Sequence, residues 1–136
     1  MAKIVQPAKM ENLENLLEFV ADQARASGFP TRRTAEIRLA AEEVLVNILC
    51  YAYPETDGDV FINCLVEKDV FILEILDSGI PFNILTVPGP DVTSCLSDRC
   101  VGGLGIHFAK EMATEARYVR EKKQNRLTLV FGRYRH

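Results

Sequence analysis

The chain has 136 residues, of which 48% are hydrophobic and 26% are charged, and its formal net charge is −3. This length fits one domain with a two-layer core, and the small net charge predicts neither a nucleic-acid nor a membrane partner. No apolar run approaches the roughly 20 residues of a membrane span, and the first residues do not resemble a signal peptide. We therefore expect a single cytoplasmic domain over residues 1–136.

The four cysteines are Cys50, Cys64, Cys95 and Cys100. The first two lie inside apolar patterns, where cysteine behaves as a small hydrophobic residue. The other two have neither a histidine nor a second close pair nearby, which makes a zinc site a poor interpretation. We interpret all four as reduced thiols, and a redox role for Cys95 and Cys100 stays open.

The hydrophobic periodicity predicts eight regular segments in the order β-α-α-β-β-α-β-β. The strands are at 3–6, 60–67, 70–77, 115–121 and 126–133, and the helices at about 9–27, 30–53 and 106–113. Gly28 and Pro54 are typical helix terminators, and residues 122–125 are predicted to form the last turn. Short turns between strands favour an α+β, two-layer sandwich, with helices on one face of a mostly antiparallel, mixed sheet.

The second helix contains an acid and an amide at its border. Glu43 and Asn47 lie four residues apart and hence one above the other, between the main apolar stripe and a second apolar edge that includes Leu39. This pattern predicts a helix that is buried almost all round. Either Asn47 pairs locally with Glu43 and both face water, or the amide oxygen binds a hard cation and the carboxylate acts as a base.

A second acid ends the strand at 70–77. Asp77 shares one face with Phe71, Leu73 and Ile75 by the period of two, so its carboxylate is predicted to point towards the helices. An acid at the core end of a strand is unusual unless a ligand meets it. A loop of about 19 residues, 83–101, follows, and loops of that length are commonly lids or binding loops.

Glycines precede the third helix. The sequence Gly102-Gly103-Leu104-Gly105 stands directly before the amphipathic run that begins at Ile106. Glycines at a helix start let the backbone approach an anion, and the free N–H groups there favour phosphate. This motif alone is weak support for a phosphate site.

Together, these motifs occur in a specific order. They are Glu43-Val-Leu-Val-Asn47, Asp77-Ser-Gly79-Ile-Pro-Phe82, Gly102-Gly-Leu-Gly105-Ile and Asn125-Arg-Leu-Thr-Leu-Val130. The chain resembles the GHKL superfamily, whose Bergerat ATP-binding fold is shared by DNA gyrase, heat-shock ATPase chaperones, histidine kinases and MutL proteins. It looks most like the bacterial anti-sigma factor serine/threonine-protein kinases, and the resemblance covers nearly the whole chain.

The resemblance implies ATP and Mg²⁺ as cofactors, with Asn47 as the magnesium ligand and Glu43 as the general base. It also implies that Asp77 accepts a hydrogen bond from the adenine amino group. Gly79 would give the base room, and Thr128 would support it through water.

The phosphates are implied to lie at the glycine motif. Gly102, Gly103, Leu104 and Gly105 would hold them together with the start of the third helix, and Arg99 in the preceding loop would contact the γ-phosphate. The implied partners are an anti-anti-sigma STAS-domain protein, a sigma factor, or both, and a second copy of the chain in a homodimer.

Two functional hypotheses share every nucleotide-binding residue. The first is a kinase that phosphorylates the STAS-type partner. The second is a nucleotide-gated switch that captures a sigma factor or another regulator without transfer. The departures from the kinase pattern at Tyr51 and Val46 spare the nucleotide contacts and bear on this choice. A detached histidine-kinase catalytic domain is disfavoured because the two histidines, His107 and His136, lie outside any dimerisation hairpin.

Overall fold

The structure, a computed structural model, describes residues 1–86 and 106–134. Its strands are β1 (Ala2–Pro7), β2 (Asp59–Glu67), β3 (Val70–Asp77), β4 (Glu115–Glu121) and β5 (Gln124–Gly132), and its helices are α1 (Leu13–Ala26), α2 (Thr31–Tyr51) and α3 (Ile106–Met112). Within those ranges, no helix combines the length and apolar character that crossing a membrane requires.

The five strands form one sheet in the order β1-β2-β3-β5-β4. All four neighbouring pairs in the described ranges are antiparallel. The predicted α+β class, with a mostly antiparallel sheet and the helices on one face, is confirmed. The register sets Asp77 at the end of β3 opposite Asn125 near the start of β5, and this pairing positions much of the candidate site.

The core lies between the inner sheet face and the helices. Alternate residues of the three central strands are buried, as the period of two requires, and helical residues at spacings of three and four cover them. The fully buried side chains include Ile62, Phe71, Leu73, Ile75, Leu129 and Phe131 from the sheet and Leu16, Leu17, Val20, Ile37, Val44 and Leu45 from the helices.

Several predicted boundaries move by a few residues. A 3₁₀ turn at Met10–Asn12 precedes α1, and Gly28 ends that helix with a φ of 80°. Helix α2 is less buried than predicted, since Leu39 on its second apolar edge is 38% exposed.

The difference between prediction and structure that matters most for the site is in the last hairpin, between β4 and β5. Its turn is only Lys122-Lys123, with φ values of 52° and 63°, which is the left-handed backbone of a two-residue hairpin turn. Strand β5 therefore begins two residues earlier than predicted, and Asn125 lies in the strand instead of the turn.

Candidate functional site

Helix α2 places the carboxylate of Glu43 between itself and α3. Glu43 is 8% exposed, and neither carboxylate oxygen has a hydrogen-bond partner among the described residues. The backbone N–H groups of Ala109 and Phe108, in the first turns of α3, approach this carboxylate without reaching hydrogen-bond geometry. The acid therefore lies beside the helix start that the sequence analysis assigned to phosphate.

Burial raises the pKa of Glu43 from 4.5 to about 7, because water can no longer solvate the charge. The N–H groups of Ala109 and Phe108 lower this pKa in part, and the nearby charge of Glu42 raises it. A carboxyl with a pKa near neutral pH can both accept and release a proton under physiological conditions, which suits a general base.

Asn47 lies one helical turn after Glu43 and is half-buried. Its Nδ2 donates to the backbone carbonyl of Glu43 at 2.8 Å. The predicted local pair therefore exists, but it joins the amide to the backbone and not to the carboxylate. Since the amide nitrogen of Asn47 donates to the helix backbone, the amide oxygen is the atom suited to a hard cation such as Mg²⁺.

The end of β3 carries Asp77, which is 4% exposed. Its Oδ1 accepts two hydrogen bonds, from the backbone N–H of Gly79 at 2.9 Å and from Nδ2 of Asn125 at 2.9 Å. Burial raises the pKa of Asp77, while the bonds from Asn125 and Gly79 and the charge of Arg120 lower it. The carboxylate of Asp77 therefore points into the core, as predicted from the spacing along the strand.

Asn125, which the sequence motif contains but to which the sequence analysis gave no role, is the central polar residue here and is 6% exposed. Besides Asp77, its Nδ2 donates to the carbonyl of Ile80 at 2.8 Å. Its Oδ1 accepts from the backbone N–H of Phe82 at 3.2 Å and from the hydroxyl of Tyr118. The alternation of Asn125 with Leu127 and Leu129 was the sequence signal that could have placed it on the inner face.

The turn after Asp77 packs closely on the carboxyl end of α2. The N–H of Ile80 donates to the carbonyl of Ala52 at 2.9 Å, and a Cβ atom on Gly79 would come within 2.2 Å of that same oxygen. The side chain of Arg120 donates to the carbonyl of Gly79 at 2.8 Å. Gly79 is therefore required by backbone packing, whatever room it also gives a ligand.

Thr128 does not belong to this site. It pairs with Glu74 in β3 and with Arg117 in β4, and its neighbours Leu127 and Leu129 are the residues that enter the core. By the strand period of two, its side chain lies on the outer sheet face, opposite to Asp77. The role predicted for Thr128 is therefore wrong, and Asn125 takes the position beside Asp77.

Other predicted residues lie outside the described ranges. These are Arg99, Gly102, Gly103, Leu104 and Gly105, together with Cys95 and Cys100. The two described cysteines, Cys50 and Cys64, form no disulfide within the described residues. Cys64 is buried, and that burial raises the pKa of its thiol to about 12. Its thiol is thus inert at neutral pH.

An open cavity of about 580 Å³ lies next to the site but is separate from it. It is lined by residues 52–59, Phe61 and the turn 78–80. Glu43, Asn47 and Asp77 are absent from its lining, so only the turn at Gly79 and Ile80 is shared with the candidate site.

The close packing of Gly79 predicts a large effect of one methyl group. Gly79→Ala should lower the free energy of unfolding by about 1 to 3 kcal/mol, because the backbone carbonyl of Ala52 cannot move away without distorting α2. Urea unfolding measures this difference. Gly132→Ala is the matched control, since its Cβ would lie at an ordinary 3.6 Å from the nearest atoms, and equal losses in the two variants would contradict the packing argument.

The raised pKa of Glu43 predicts a pH-dependent stability. Between pH 4.5 and about 7 the folded protein holds a proton on Glu43 that the unfolded chain releases, so this residue lowers the free energy of unfolding as pH rises through that window. One pKa unit corresponds to about 1.4 kcal/mol, which makes the full cost roughly 3 kcal/mol above pH 7.

Glu43→Gln removes this charge. Between pH 4.5 and about 7, the free energy of unfolding of the variant should therefore rise relative to that of the wild type by roughly 3 kcal/mol. Urea unfolding of both proteins at a series of pH values measures the difference. The variant Glu11→Gln removes an exposed carboxyl, keeps both Glu43 and Glu42, and should follow the wild type. A difference between Glu43→Gln and the wild type that is constant with pH would show that Glu43 does not titrate there.

The chain is similar to known proteins over nearly its whole length. The sequence profile of the histidine kinase-like ATPase domain matches residues 6–131. The serine-protein kinase RsbW of Bacillus mycoides (strain KBAB4) is 24% identical over 132 residues, covering 94% of this chain and 81% of that protein. RsbW of Bacillus cereus (strain AH187) is 23% identical with the same coverage.

The fold is also found in a solved structure. The crystal structure of the RsbU and RsbW domains of Rv1364c from Mycobacterium tuberculosis superposes with a TM-score of 0.63 at 14% sequence identity. The match covers 97% of this chain and spans 32% of that longer chain. The profile match, the similarity to RsbW kinases and the shared fold confirm the predicted family, and this chain belongs to the histidine kinase-like ATPases of the GHKL type.

Proposed function

We propose that this chain binds ATP with Mg²⁺ and is an anti-sigma factor serine/threonine-protein kinase. The observation that carries the proposal is the buried carboxylate of Glu43, which has no hydrogen-bond partner in the described structure and lies at the start of α3. A buried acid without a partner is costly for a fold and is retained where chemistry uses it. The similarity to serine-protein kinases named RsbW supports the same activity.

The nucleotide would lie between α2, the end of β3 and α3. Asp77 would accept a hydrogen bond from the adenine amino group, and the glycine motif at 102–105 with Arg99 would hold the phosphates. Asn47 offers an amide oxygen for Mg²⁺, an ion that takes few protein ligands and shares the phosphates of a nucleotide. Magnesium, when bound, would neutralise phosphate charge.

In the transfer step, the hydroxyl oxygen of a serine or threonine forms a bond to the γ-phosphorus of ATP. The bond between that phosphorus and the bridging oxygen of ADP breaks. Glu43 takes the hydroxyl proton, and its pKa near 7 leaves a large share of the carboxyl ionised for that purpose at neutral pH. Since positioning supplies most of the rate in phosphoryl transfer, the base is one contribution among several.

We further propose that the phosphorylated protein is an anti-anti-sigma factor with a STAS domain, that the chain also binds a sigma factor, and that it acts as a cytoplasmic homodimer. The family resemblance supports these partners. The outer sheet face carries both apolar and charged residues, such as Val5, Ile72 and Arg126, and is available for a contact in the described structure.

The nucleotide site predicts magnesium-dependent ATP binding. Asn47→Ala should abolish the magnesium dependence, and Asp77→Asn should weaken ATP binding by about 1.5 to 3 kcal/mol, the scale of a hydrogen bond to a charged group. Calorimetric titration with ATP, with and without Mg²⁺, measures both effects. Asn15→Ala removes an exposed amide on α1 and is the control. An unchanged affinity in the Asp77 variant would remove the adenine assignment.

The base assignment predicts a separation of binding from transfer. Glu43→Gln should bind ATP as the wild type does and should transfer phosphate roughly 100-fold or more slowly, because the amide cannot accept the proton. The assay incubates each protein with ATP labelled in its γ-phosphate and the STAS-domain proteins of the source organism. Phosphorylation of a partner by the variant at the wild-type rate would exclude Glu43 as base. ATP binding without transfer in the wild type would favour the nucleotide-gated switch.

A further inference from the structure

We propose that Asn125 is a positioning residue that sets the base specificity of the site. It holds the carboxylate of Asp77 so that one oxygen faces the 6-amino group of adenine, and the site therefore discriminates between 6-amino and 6-oxo purine nucleotides. This inference rests on the proposed ATP site and adds to it a role for Asn125, which begins the fourth sequence motif but has no role assigned to it there.

The orientation of the Asn125 amide is fixed by its surroundings. Nδ2 faces two acceptors, Oδ1 of Asp77 at 2.9 Å and the carbonyl of Ile80 at 2.8 Å. Oδ1 faces the backbone N–H of Phe82 at 3.2 Å and the hydroxyl of Tyr118. A flipped amide would set the nitrogen against the N–H of Phe82 and the oxygen against two acceptors. Only one orientation satisfies the obligatory donor and both acceptors.

This fixed amide determines which oxygen of Asp77 is used. Oδ1 is occupied by Asn125 and by the N–H of Gly79, whereas no group in residues 1–86 or 106–134 donates a hydrogen bond to Oδ2. An ionised carboxylate oxygen can only accept, so Oδ2 is matched to a donor. The 6-amino group of adenine is a donor, and the 6-oxo group of hypoxanthine is an acceptor that would repel it.

The charge state of Asp77 depends on the same contact. Burial raises the pKa of this carboxyl, and the hydrogen bond from Asn125 is the largest influence that lowers it again. Without the amide, protonated Asp77 would become more populated and could donate to a 6-oxo group. Removal of Asn125 should therefore reduce the discrimination between 6-amino and 6-oxo purines in two ways. It frees the carboxylate of Asp77 to rotate, and it favours the neutral form of that carboxyl.

The test compares the affinities for ATP and for ITP, which carries a 6-oxo group, in the presence of Mg²⁺. The wild type should prefer ATP, and in Asn125→Ala that preference should fall about tenfold or more, on the scale of a lost hydrogen bond to a charged group. The loss should appear mainly as weaker ATP binding. Far-UV circular dichroism checks that each variant is folded.

The matched control is Asn63→Ala. Asn63 also donates its amide to a carboxylate, Oε1 of Glu74 at 2.8 Å, but the pair lies on the outer face of the sheet. This variant should keep the ATP to ITP ratio of the wild type. If Asn125→Ala instead weakens both nucleotides by one common factor, the residue is merely structural and the proposal is overturned.

Asn125→Asp is the second variant, because it keeps the shape of the side chain and the acceptor for the N–H of Phe82. It sets two carboxyl groups together that compete for a proton, so the preference for ATP should fall below that of the wild type. If Asn125→Ala does not fold, the ratio of the ATP and ITP affinities in Asn125→Asp decides whether Asn125 sets the base specificity. Loss of the fold in both variants would make Asn125 structural and overturn the proposal.

The outcomes for the wild type separate this inference from the proposed function. If the wild type binds no ATP, the proposed nucleotide site itself fails. If it binds ATP and ITP equally, the nucleotide site stands, but Asp77 does not recognise the 6-amino group and the role of Asn125 is overturned.

Discussion

The hydrogen bond between Asn125 and Asp77 joins the two strands that carry the candidate site. It links the last residue of β3 to β5, and the same amide continues to the carbonyl of Ile80 and the N–H of Phe82. One side chain thus satisfies backbone groups that the end of the strand would leave unpaired. The turn after β3 is held in place from this side by the sheet.

The opposite side of that turn is held by α2. The carbonyl of Ala52 accepts from the N–H of Ile80, and the hydroxyl of Tyr53 accepts from the N–H of Ser78 at 2.7 Å. Because Gly79 has no side chain, the turn and the helix end can approach to backbone contact. In the proposed site, the end that would bind the base is therefore largely preorganised before a nucleotide arrives, which reduces the entropy that binding must overcome.

The sequence predicted the architecture well, because strand and helix periodicities directly determine which residues are buried. The inward position of Asp77 follows from its spacing to Phe71, Leu73 and Ile75, and the structure agrees. The two failures that concern the candidate site both lie in the last hairpin, but their causes differ. The two lysines of its turn adopt left-handed backbone without the usual glycine or asparagine, so the predicted turn is too long and includes Asn125. Thr128 was assigned by motif position alone, and its place on the opposite sheet face follows from the register.

The two ends of the site differ in how far their polar groups are satisfied. At the proposed base-binding end, Oδ1 of Asp77 and every polar atom of the Asn125 side chain have hydrogen bonds. At the phosphate end, the carboxylate of Glu43 is buried without one in the described structure, and that costs stability above neutral pH. Preorganisation would thus favour binding at the proposed base-binding end, whereas at the other end the cost in stability comes from Glu43, the group that would take a proton. In the proposed site, ATP recognition would depend on one end and transfer on the other, so a kinase and a nucleotide-gated switch would share the first and differ at Glu43 and the residues around it.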